Sequence, residues 1–307
     1  MTSGVCECDI FAFVNIAKQK FLLYNKNMEY KKTKDKIEVF GKDEFNSKHI
    51  LECGQIFRYR LQSDGSYVVL SGDKKAQVFE IENGYQILSK DVDYFENFFD
   101  LKADYGKIKN QLLPFGDALK NATQYGYGIR ILNQQPFEVI IGFIISANNN
   151  IKRIQSLVEK LSQKCGKNMG DYYAFPTPSE LSTLSVEDLK ALGMGFRAKY
   201  IFSTTQKLKD VNLDSLRNLS AEDLIEYLQK LDGVGPKVAD CIALFAFHNM
   251  GCFPVDTWVE KIYNSFFAET PEKNRVKIHQ NLIEKFGNLS GYAQQYLFYY
   301  KRELDKA

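Results

Sequence analysis

Apolar positions change their spacing once along the chain, at about residue 91. Before that point, five short segments rich in β-branched and aromatic residues are separated by turn-forming Ser, Asp, Asn and Gly. This pattern is typical of strands that are joined by tight turns, and it predicts an antiparallel meander. The five predicted strands are 37–40, 56–59, 67–70, 77–81 and 85–88.

After residue 91, apolar residues recur every three to four positions, as in 154–161 and 224–231, which is typical of helices. Two helix starts are indicated where Thr177 precedes Glu180 by three residues and where Ser185 precedes Asp188 in the same way. The sequence therefore predicts an α+β fold. A small antiparallel β-sheet domain occupies 28–115 and a larger, all-helical domain occupies 116–307, while 1–27 form an N-terminal extension of unknown role and Met28 is an alternative start.

Composition narrows the class of protein. The chain has 307 residues, of which 45% are apolar and 14% aromatic, so it is neither disordered nor collagen-like. Its longest apolar run, 137–147, contains Glu138 and is shorter than a membrane span of roughly 18–20 residues, so we expect a buried helix and no membrane. The first residues lack a basic region, which argues against a secretory signal. A net charge of +2 neither requires nor excludes nucleic acid.

The six cysteines are too sparse for a secreted disulfide scaffold, so we expect reduced thiols. Cys6 and Cys8 have no second pair nearby, and zinc needs four ligands. We therefore predict no metal site and no cofactor.

The helical pattern is interrupted between 231 and 237 by Asp-Gly-Val-Gly-Pro. Gly233 and Gly235 allow the backbone torsions of a tight hairpin, and Pro236 suits the first turn of the next helix. Free N–H groups at that helix start would suit a phosphate. Taken alone, this junction is equally consistent with a bend between packed helices.

Lys237 follows this hairpin at once, and Asp256 stands at a predicted helix N-cap in Pro-Val-Asp-Thr-Trp. Each residue alone has an ordinary explanation, a solvated lysine and a helix cap. The helix dipole should lower the pKa of Lys237, whereas a nearby Asp256 opposes that shift. An amine beside a fixed carboxylate is a plausible pair for covalent catalysis, and together the two residues predict a catalytic centre.

The stretch from Leu231 to Cys241, followed by Phe253-Pro-Val-Asp256, resembles the helix–hairpin–helix, Gly/Pro…Asp signature of a DNA glycosylase superfamily. Within that superfamily the chain resembles the 8-oxoguanine DNA glycosylases. Five further segments resemble the same family in the same order, so that the likeness covers about 50 to 300: 53–58, 143–153, 175–178, 192–200 and 291–298.

The resemblance implies a fold with the helix–hairpin–helix at about 221–247 and a bifunctional DNA glycosylase/AP lyase of base excision repair. Such an enzyme extrudes 8-oxoguanine from duplex DNA and excises it, preferably opposite cytosine. Lys237 would attack C1′ of the sugar and form a Schiff base, and β-elimination would follow. Asp256 would stabilise the cationic sugar.

The resemblance also implies roles in base recognition. The carbonyl of Gly54 would accept from N7–H of the lesion, Gln294 would bind its Watson–Crick edge, and Phe298 and Cys241 would lie on its two sides. Two alternative interpretations remain open: Gly54 forms a strand bulge, and Phe298 is an aromatic residue of the core. On the DNA side, Asn148, Arg153 and Arg197 would read the estranged cytosine, Phe196 would intercalate, and Gly233 and Gly235 would face the DNA backbone.

The chain departs from the family pattern at Trp258 and Lys301, where better-known relatives carry a histidine and an aspartate that can pair, which leaves the role of Trp258 open. Only Cys252 follows Cys241, so the late four-cysteine cluster of iron–sulfur relatives is absent. Side chains do not reveal whether hairpin carbonyls hold a monovalent cation.

Two alternatives stay open at this point. One is a helix–hairpin–helix glycosylase for alkylated purines or oxidised pyrimidines, and the other is a DNA-binding module without enzymatic activity. The expected partner is double-stranded DNA containing 8-oxoguanine, bound by a monomer. We expect the protein in the cytoplasm, with the nucleoid, if it is prokaryotic and in the nucleus if it is eukaryotic.

Overall fold

The computed structural model describes residues 28–305. One six-stranded antiparallel sheet forms the N-terminal part, with the spatial order β1-β2-β6-β5-β4-β3. Its strands are β1 (Glu29–Lys32), β2 (Lys36–Phe40), β3 (Tyr59–Leu61), β4 (Tyr67–Ser71), β5 (Lys74–Ile81) and β6 (Gly84–Ser89). Strands β3 to β6 form the predicted meander, but β2 pairs with β6 rather than with β3. The chain between β2 and β3 leaves the sheet and packs against the helical part.

Two details of the sheet differ from the sequence prediction. Strand β1 was missed because its residues are mostly charged, as suits an edge strand. The segment predicted at 56–59 joins the sheet only from its end, where Leu70 N donates to Arg58 O at 2.9 Å. Gln55 instead anchors the preceding loop, because its side chain donates to the carbonyl of Arg130 at 2.8 Å.

The helices fill the rest of the described chain, and the α+β prediction is confirmed. They are α1 (Ser47–Leu51), α2 (Val92–Phe98), α3 (Tyr105–Leu112), α4 (Asp117–Tyr125), α5 (Pro136–Ser146), α6 (Ile151–Cys165), α7 (Pro178–Leu181), α8 (Val186–Ala191), α9 (Arg197–Leu208), α10 (Ala221–Gln229), α11 (Pro236–Phe247), α12 (Thr257–Phe266), α13 (Arg275–Phe286) and α14 (Ser290–Leu304). Short 3-10 turns lie at Leu113–Phe115, Leu213–Asn218 and Gly287–Leu289. Both predicted capping boxes are present, at Thr177 and at Ser185.

The long apolar run forms α5, which is buried along most of its length, as predicted. Between residues 28 and 305 no helix has the length and apolar character that crossing a bilayer requires. The N-terminal extension, with Cys6 and Cys8, lies outside the described residues.

The sheet and the helical part share a core where the site is built. Cys53, in the loop after α1, is buried in one cluster with Val255, Val259 and Leu297 of the helical part. Burial of this loop removes apolar surface from water on both sides of the junction. The fold therefore fixes the position of Gly54 relative to α12 and α14.

Candidate active site

The hairpin lies between α10 and α11 and depends on its first glycine. Gly233 has a φ of +83°, and a Cβ there would come within 2.8 Å of the Tyr200 side chain. Only glycine accepts both the torsion and this close approach without strain. Gly235 is the N-cap of α11 and Pro236 occupies its first turn, as predicted.

Helix α9 fixes the hairpin through Asp232. The Asp232 carboxylate accepts hydrogen bonds from the Ser203 hydroxyl and, at 3.0 Å, from the Lys207 ammonium, and these two partners lower its pKa. The Thr204 hydroxyl donates to the Asp232 carbonyl at 3.0 Å. Sequence analysis missed this set, although Ser203, Thr204 and Lys207 share one helical face at i, i+1 and i+4.

Lys237 is partly buried, and its Nζ lies 5.5 Å from the centroid of the Phe143 ring. The prediction of a lowered pKa is wrong. Cys241 raises the pKa of Lys237 most and Asp256 raises it further, so these groups outweigh burial, which lowers it. Burial raises the pKa of the Cys241 thiol to about 11, so the thiol is neutral near pH 7 and Asp256 is the charge that acts there. Lys237 is therefore protonated at rest and must lose a proton before it can attack.

Asp256 is the N-cap of α12, as predicted. Its Oδ1 accepts from the N–H groups of Trp258 at 2.9 Å and Val259 at 3.0 Å. These bonds fix the carboxylate and leave Oδ2 outside the cap. The arrangement provides a second oxygen that is free to face a developing positive charge.

The two departures from the family pattern each have a partner of their own. Lys261 Nζ lies 4.9 Å from the centroid of the Trp258 ring. Lys301 pairs at 2.9 Å with Asp305, the C-cap residue of α14.

The loop that carries Gly54 packs against helix α14. Gly54 has a φ of +91°, and a Cβ there would lie 3.4 Å from Phe298 Cε1. Gln295, which sequence analysis missed, donates from Nε2 to the Cys53 carbonyl at 3.0 Å. Gln294 is 6% exposed, and its Oε1 has no hydrogen-bond partner within the described chain. A buried, unpaired acceptor is rare in proteins and is consistent with a ligand that supplies a donor.

The residues predicted to read the opposite strand also come together. Asn148 is exposed with a φ of +50°, and Phe196 is 57% exposed at the start of α9. The guanidinium of Arg197 is buried, stacks 4.4 Å from the Phe196 centroid, and donates to the carbonyls of Ala147 and Asn148. Arg153 lies close enough to lower the pKa of Arg197, although burial is the larger cause.

Two family profiles match almost adjacent parts of the chain. One, described as the N-terminal domain of 8-oxoguanine DNA glycosylase, matches residues 38–140, and the other, described as HhH-GPD superfamily base excision DNA repair protein, matches 141–287. The chain belongs to the 8-oxoguanine DNA glycosylase family.

Individual relatives agree with this assignment. The chain is similar to the N-glycosylase/DNA lyase of Saccharomyces cerevisiae, with 31% identity over 321 residues that cover 85% of this chain and 84% of the yeast protein. It is also similar to a Clostridium acetobutylicum 8-oxoguanine glycosylase/lyase in complex with double-stranded DNA containing cytosine opposite 8-oxoguanine, with 40% identity, a TM-score of 0.83, and coverage of 91% and 99% of the two chains. A third similar structure is MBOgg1 in complex with a low affinity DNA ligand, at 37% identity and a TM-score of 0.84, covering 91% and 100%. Family membership favours neither of the two alternatives that the sequence left open.

Proposed function

We propose that this chain excises 8-oxoguanine from duplex DNA, preferably opposite cytosine, and then cleaves the abasic strand through a Schiff base on Lys237. The observation that carries the proposal is the arrangement of Lys237 at the start of α11, with Cys241 and Asp256 acting on its pKa. An amine and a fixed carboxylate in one site are the groups that covalent sugar chemistry needs.

In the proposed reaction, the neutral Lys237 amine attacks C1′ of the extruded nucleotide. The C1′–N9 bond breaks and its electron pair leaves with the base, which takes up a proton. The carboxylate of Asp256 stabilises the positive charge that develops at C1′ and O4′. Ring opening at O4′, with loss of the amine proton, gives the imine, and loss of a C2′ proton then expels the 3′ phosphate.

Recognition of the lesion uses groups on the opposite wall. In the proposed complex, N7–H of 8-oxoguanine donates to the Gly54 carbonyl, where guanine would present a second acceptor. The unpaired Oε1 of Gln294 accepts from the Watson–Crick edge, and Phe298 stacks on the ring. A buried polar group left without its partner costs about 1–3 kcal/mol, so one exchanged donor suffices for substantial discrimination.

Preference for cytosine is proposed to come from Asn148, Arg153 and Arg197. Cytosine presents the acceptors O2 and N3, to which an arginine fork can donate. In Arg197, Nε and Nη2 already bind backbone carbonyls, so Nη1 is the nitrogen assigned to the base. Phe196 fills the space that the extruded nucleotide leaves.

Borohydride trapping tests this function. Duplexes that carry 8-oxoguanine opposite C, A, G or T are incubated with the protein and sodium borohydride, alongside duplexes with guanine, 3-methyladenine or thymine glycol. We expect a covalent complex that forms fastest with 8-oxoguanine opposite cytosine and not at all with guanine. Faster cleavage of 3-methyladenine or thymine glycol would contradict the proposal that 8-oxoguanine is the substrate. Binding without any trapped complex would contradict the proposed Schiff base.

We also propose that the protein acts as a monomer and in the compartment that holds the genome, the nucleoid or the nucleus. Sedimentation with and without a lesion duplex tests the first point. A complex of two chains on one duplex would contradict it.

A further inference from the structure

Arg302 lies one helical turn beyond Phe298 on α14, and the sequence analysis did not assign it a role. Residues 294, 298 and 302 are spaced by four, so they form one stripe along the helix. The side chain of Arg302 is only 12% exposed. Its Nε and Nη2 lie 3.2 and 3.1 Å from Glu303 Oε1, so its charge has a partner, but this neighbour on the same helix does not account for the other contacts of the guanidinium.

The contacts of Arg302 connect α14 to the loop that carries Gly54. Its Nη2 donates to the carbonyl of Glu52, at the end of α1. The Glu52 carboxylate in turn accepts from the hydroxyl of Tyr67, on β4, at 2.7 Å. Arg302 therefore holds a backbone segment that the sheet also holds from the other side.

Helix α14 binds the two carbonyls that precede Gly54. Arg302 donates to the carbonyl of Glu52, and Gln295 donates to the carbonyl of Cys53. The following carbonyl, of Gln55, accepts from Gln134 at 2.8 Å. Among residues 28–305, none donates a hydrogen bond to the Gly54 carbonyl. The neighbouring bonds thus orient this segment and leave the one carbonyl that the lesion is proposed to use.

The same guanidinium packs on the aromatic residue of the stripe. Its central carbon lies 5.8 Å from the centroid of the Phe298 ring and 5.6 Å from that of Tyr299. A cation over an aromatic ring is attracted by the ring and restricts its orientation. Nη1 of Arg302 is buried, has no hydrogen-bond partner among residues 28–305, and lies 3.6 Å from where a Cβ on Gly54 would stand.

We propose that Arg302 is a positioning residue for lesion discrimination, which holds the Gly54 segment and the Phe298 ring in register with each other. The inference rests on the proposed function, because it assumes that Gly54 and Phe298 contact the damaged base. Lysine in place of Arg302 would keep the charge and the aliphatic stem but not the planar fork that reaches Glu52 and Phe298 together.

The test compares two substrates that differ only in the base. Single-turnover excision is measured on an 8-oxoguanine:C duplex, and borohydride trapping is measured on the same duplex with a ready-made abasic site. An abasic site needs Lys237 but no base recognition, so a general loss of structure lowers both rates, whereas misplacement of Gly54 and Phe298 lowers only the first.

For Arg302→Leu we expect excision of 8-oxoguanine to fall about tenfold, with abasic-site trapping within about twofold of wild type. Arg302→Lys should excise 8-oxoguanine at a rate between that of wild type and that of Arg302→Leu. The control is Arg275→Leu, which removes an arginine paired with Glu260 at 2.9 Å and should leave both rates unchanged. In a Phe298→Leu background, Arg302→Leu should have a smaller additional effect, because residues that act as one unit are not additive.

Unchanged excision by Arg302→Leu, or equal losses on both substrates in a folded variant, would overturn the inference. If the leucine variant does not fold, Arg302→Lys provides the same comparison. Failure of the proposed function looks different, because then the wild-type protein itself would not be trapped on the abasic duplex or would not excise 8-oxoguanine.

Discussion

Two arginines with largely buried side chains, Arg197 and Arg302, have similar surroundings. Each lies against an aromatic neighbour, Phe196 or Phe298, and each donates to a backbone carbonyl at or within two residues of a residue with positive φ. Those residues are Asn148, with φ +50°, and Gly54, with φ +91°. The same kind of contact therefore supports the surface that we propose faces the opposite strand and the surface that we propose faces the lesion.

The two arginines use the same donors, since each binds through Nε and Nη2, and they differ in the surroundings of the remaining nitrogen, Nη1. Within residues 28–305, Nη1 of Arg302 is buried without a hydrogen-bond partner, and Nη1 of Arg197 is not among such buried atoms. Gln294 Oε1, on the same helix as Arg302, also has no partner in the part of the chain that the structure describes. Unpaired buried groups are costly, so the lesion side is the one whose hydrogen bonding a bound base completes. The opposite-strand side is preorganised by comparison.

The largest effect should come from Lys237→Gln, which separates chemistry from both recognition surfaces. Without the amine, excision and trapping should fall by a factor of about 1,000 or more. Affinity for an 8-oxoguanine:C duplex, measured by fluorescence anisotropy, should stay close to that of wild type because neither surface is altered. Excision at the wild-type rate would refute the covalent route.

Gly54→Ala should have the next largest effect and should act on the lesion side only. The new Cβ would sit 3.4 Å from Phe298 Cε1 on a backbone with φ +91°. Backbone strain and the greater distance at which the base must bind are together expected to raise the activation free energy by about 2 kcal/mol. Excision of 8-oxoguanine would then slow roughly thirtyfold. Gly41→Ala is the matched control, because Gly41 has φ +82° with nothing within 4 Å. An equal slowing in both variants would show that strain alone is responsible.

Arg197→Ala should act on the opposite-strand side. Loss of the guanidinium leaves the carbonyls of Ala147 and Asn148 without their donor and removes the nitrogen assigned to cytosine. The ratio of excision opposite C to excision opposite A is expected to fall about tenfold, more than excision opposite C itself slows. Arg60→Ala, an exposed arginine on β3, serves as the control. An unchanged ratio would remove Arg197 from the reading of cytosine.

Cys241→Ala should shift the pH dependence of excision without affecting either arginine. Cys241 is the largest cause of the raised pKa of Lys237, and its thiol, although neutral near pH 7, also forms a hydrogen bond with the amine. Its loss should therefore lower that pKa and increase the neutral amine at any given pH. The rising limb of the single-turnover rate against pH should therefore move to lower pH. Cys252→Ala, which also removes a buried thiol, should leave the limb in place. A shift of the limb to higher pH would contradict the conclusion that Cys241 raises the pKa of Lys237.

The smallest effect should come from His279→Gln, which lies outside both arrangements. His279 Nε2 pairs with Asp240 at 3.0 Å, and this hydrogen bond raises the pKa of His279 above 6.5. The pair therefore stabilises the fold below pH 6.5, and that stabilisation is lost as pH rises through the folded-state pKa. Because the imidazole is 38% exposed, solvent screening limits the contribution to about 0.5 kcal/mol. Denaturant unfolding at about pH 5 and pH 8.5 checks this, and an equal loss at both pH values would contradict it.

Local sequence patterns predicted much of the fold. The two capping boxes, the buried helix α5 and four of the six strands follow from spacing between near neighbours. The edge strand β1 could not be found this way, since its charged residues carry no alternation and its partners, residues 37–40, lie on another strand. The pairing of β2 with β6 could not be predicted from local patterns either, because it depends on where the loop after α1 packs.

Residue identities and their spacing by themselves determined the hairpin, the pair Lys237 and Asp256, and the line from Gln294 to Phe298, because each lies within one short segment whose geometry is local. Only the tertiary structure decided how Lys237 is charged, that Gln294 keeps an unpaired oxygen, and that Arg302 reaches Glu52 some 250 residues earlier. Electrostatics and hydrogen bonding depend on distances between atoms, and chain packing brings those atoms together from segments that are far apart in sequence.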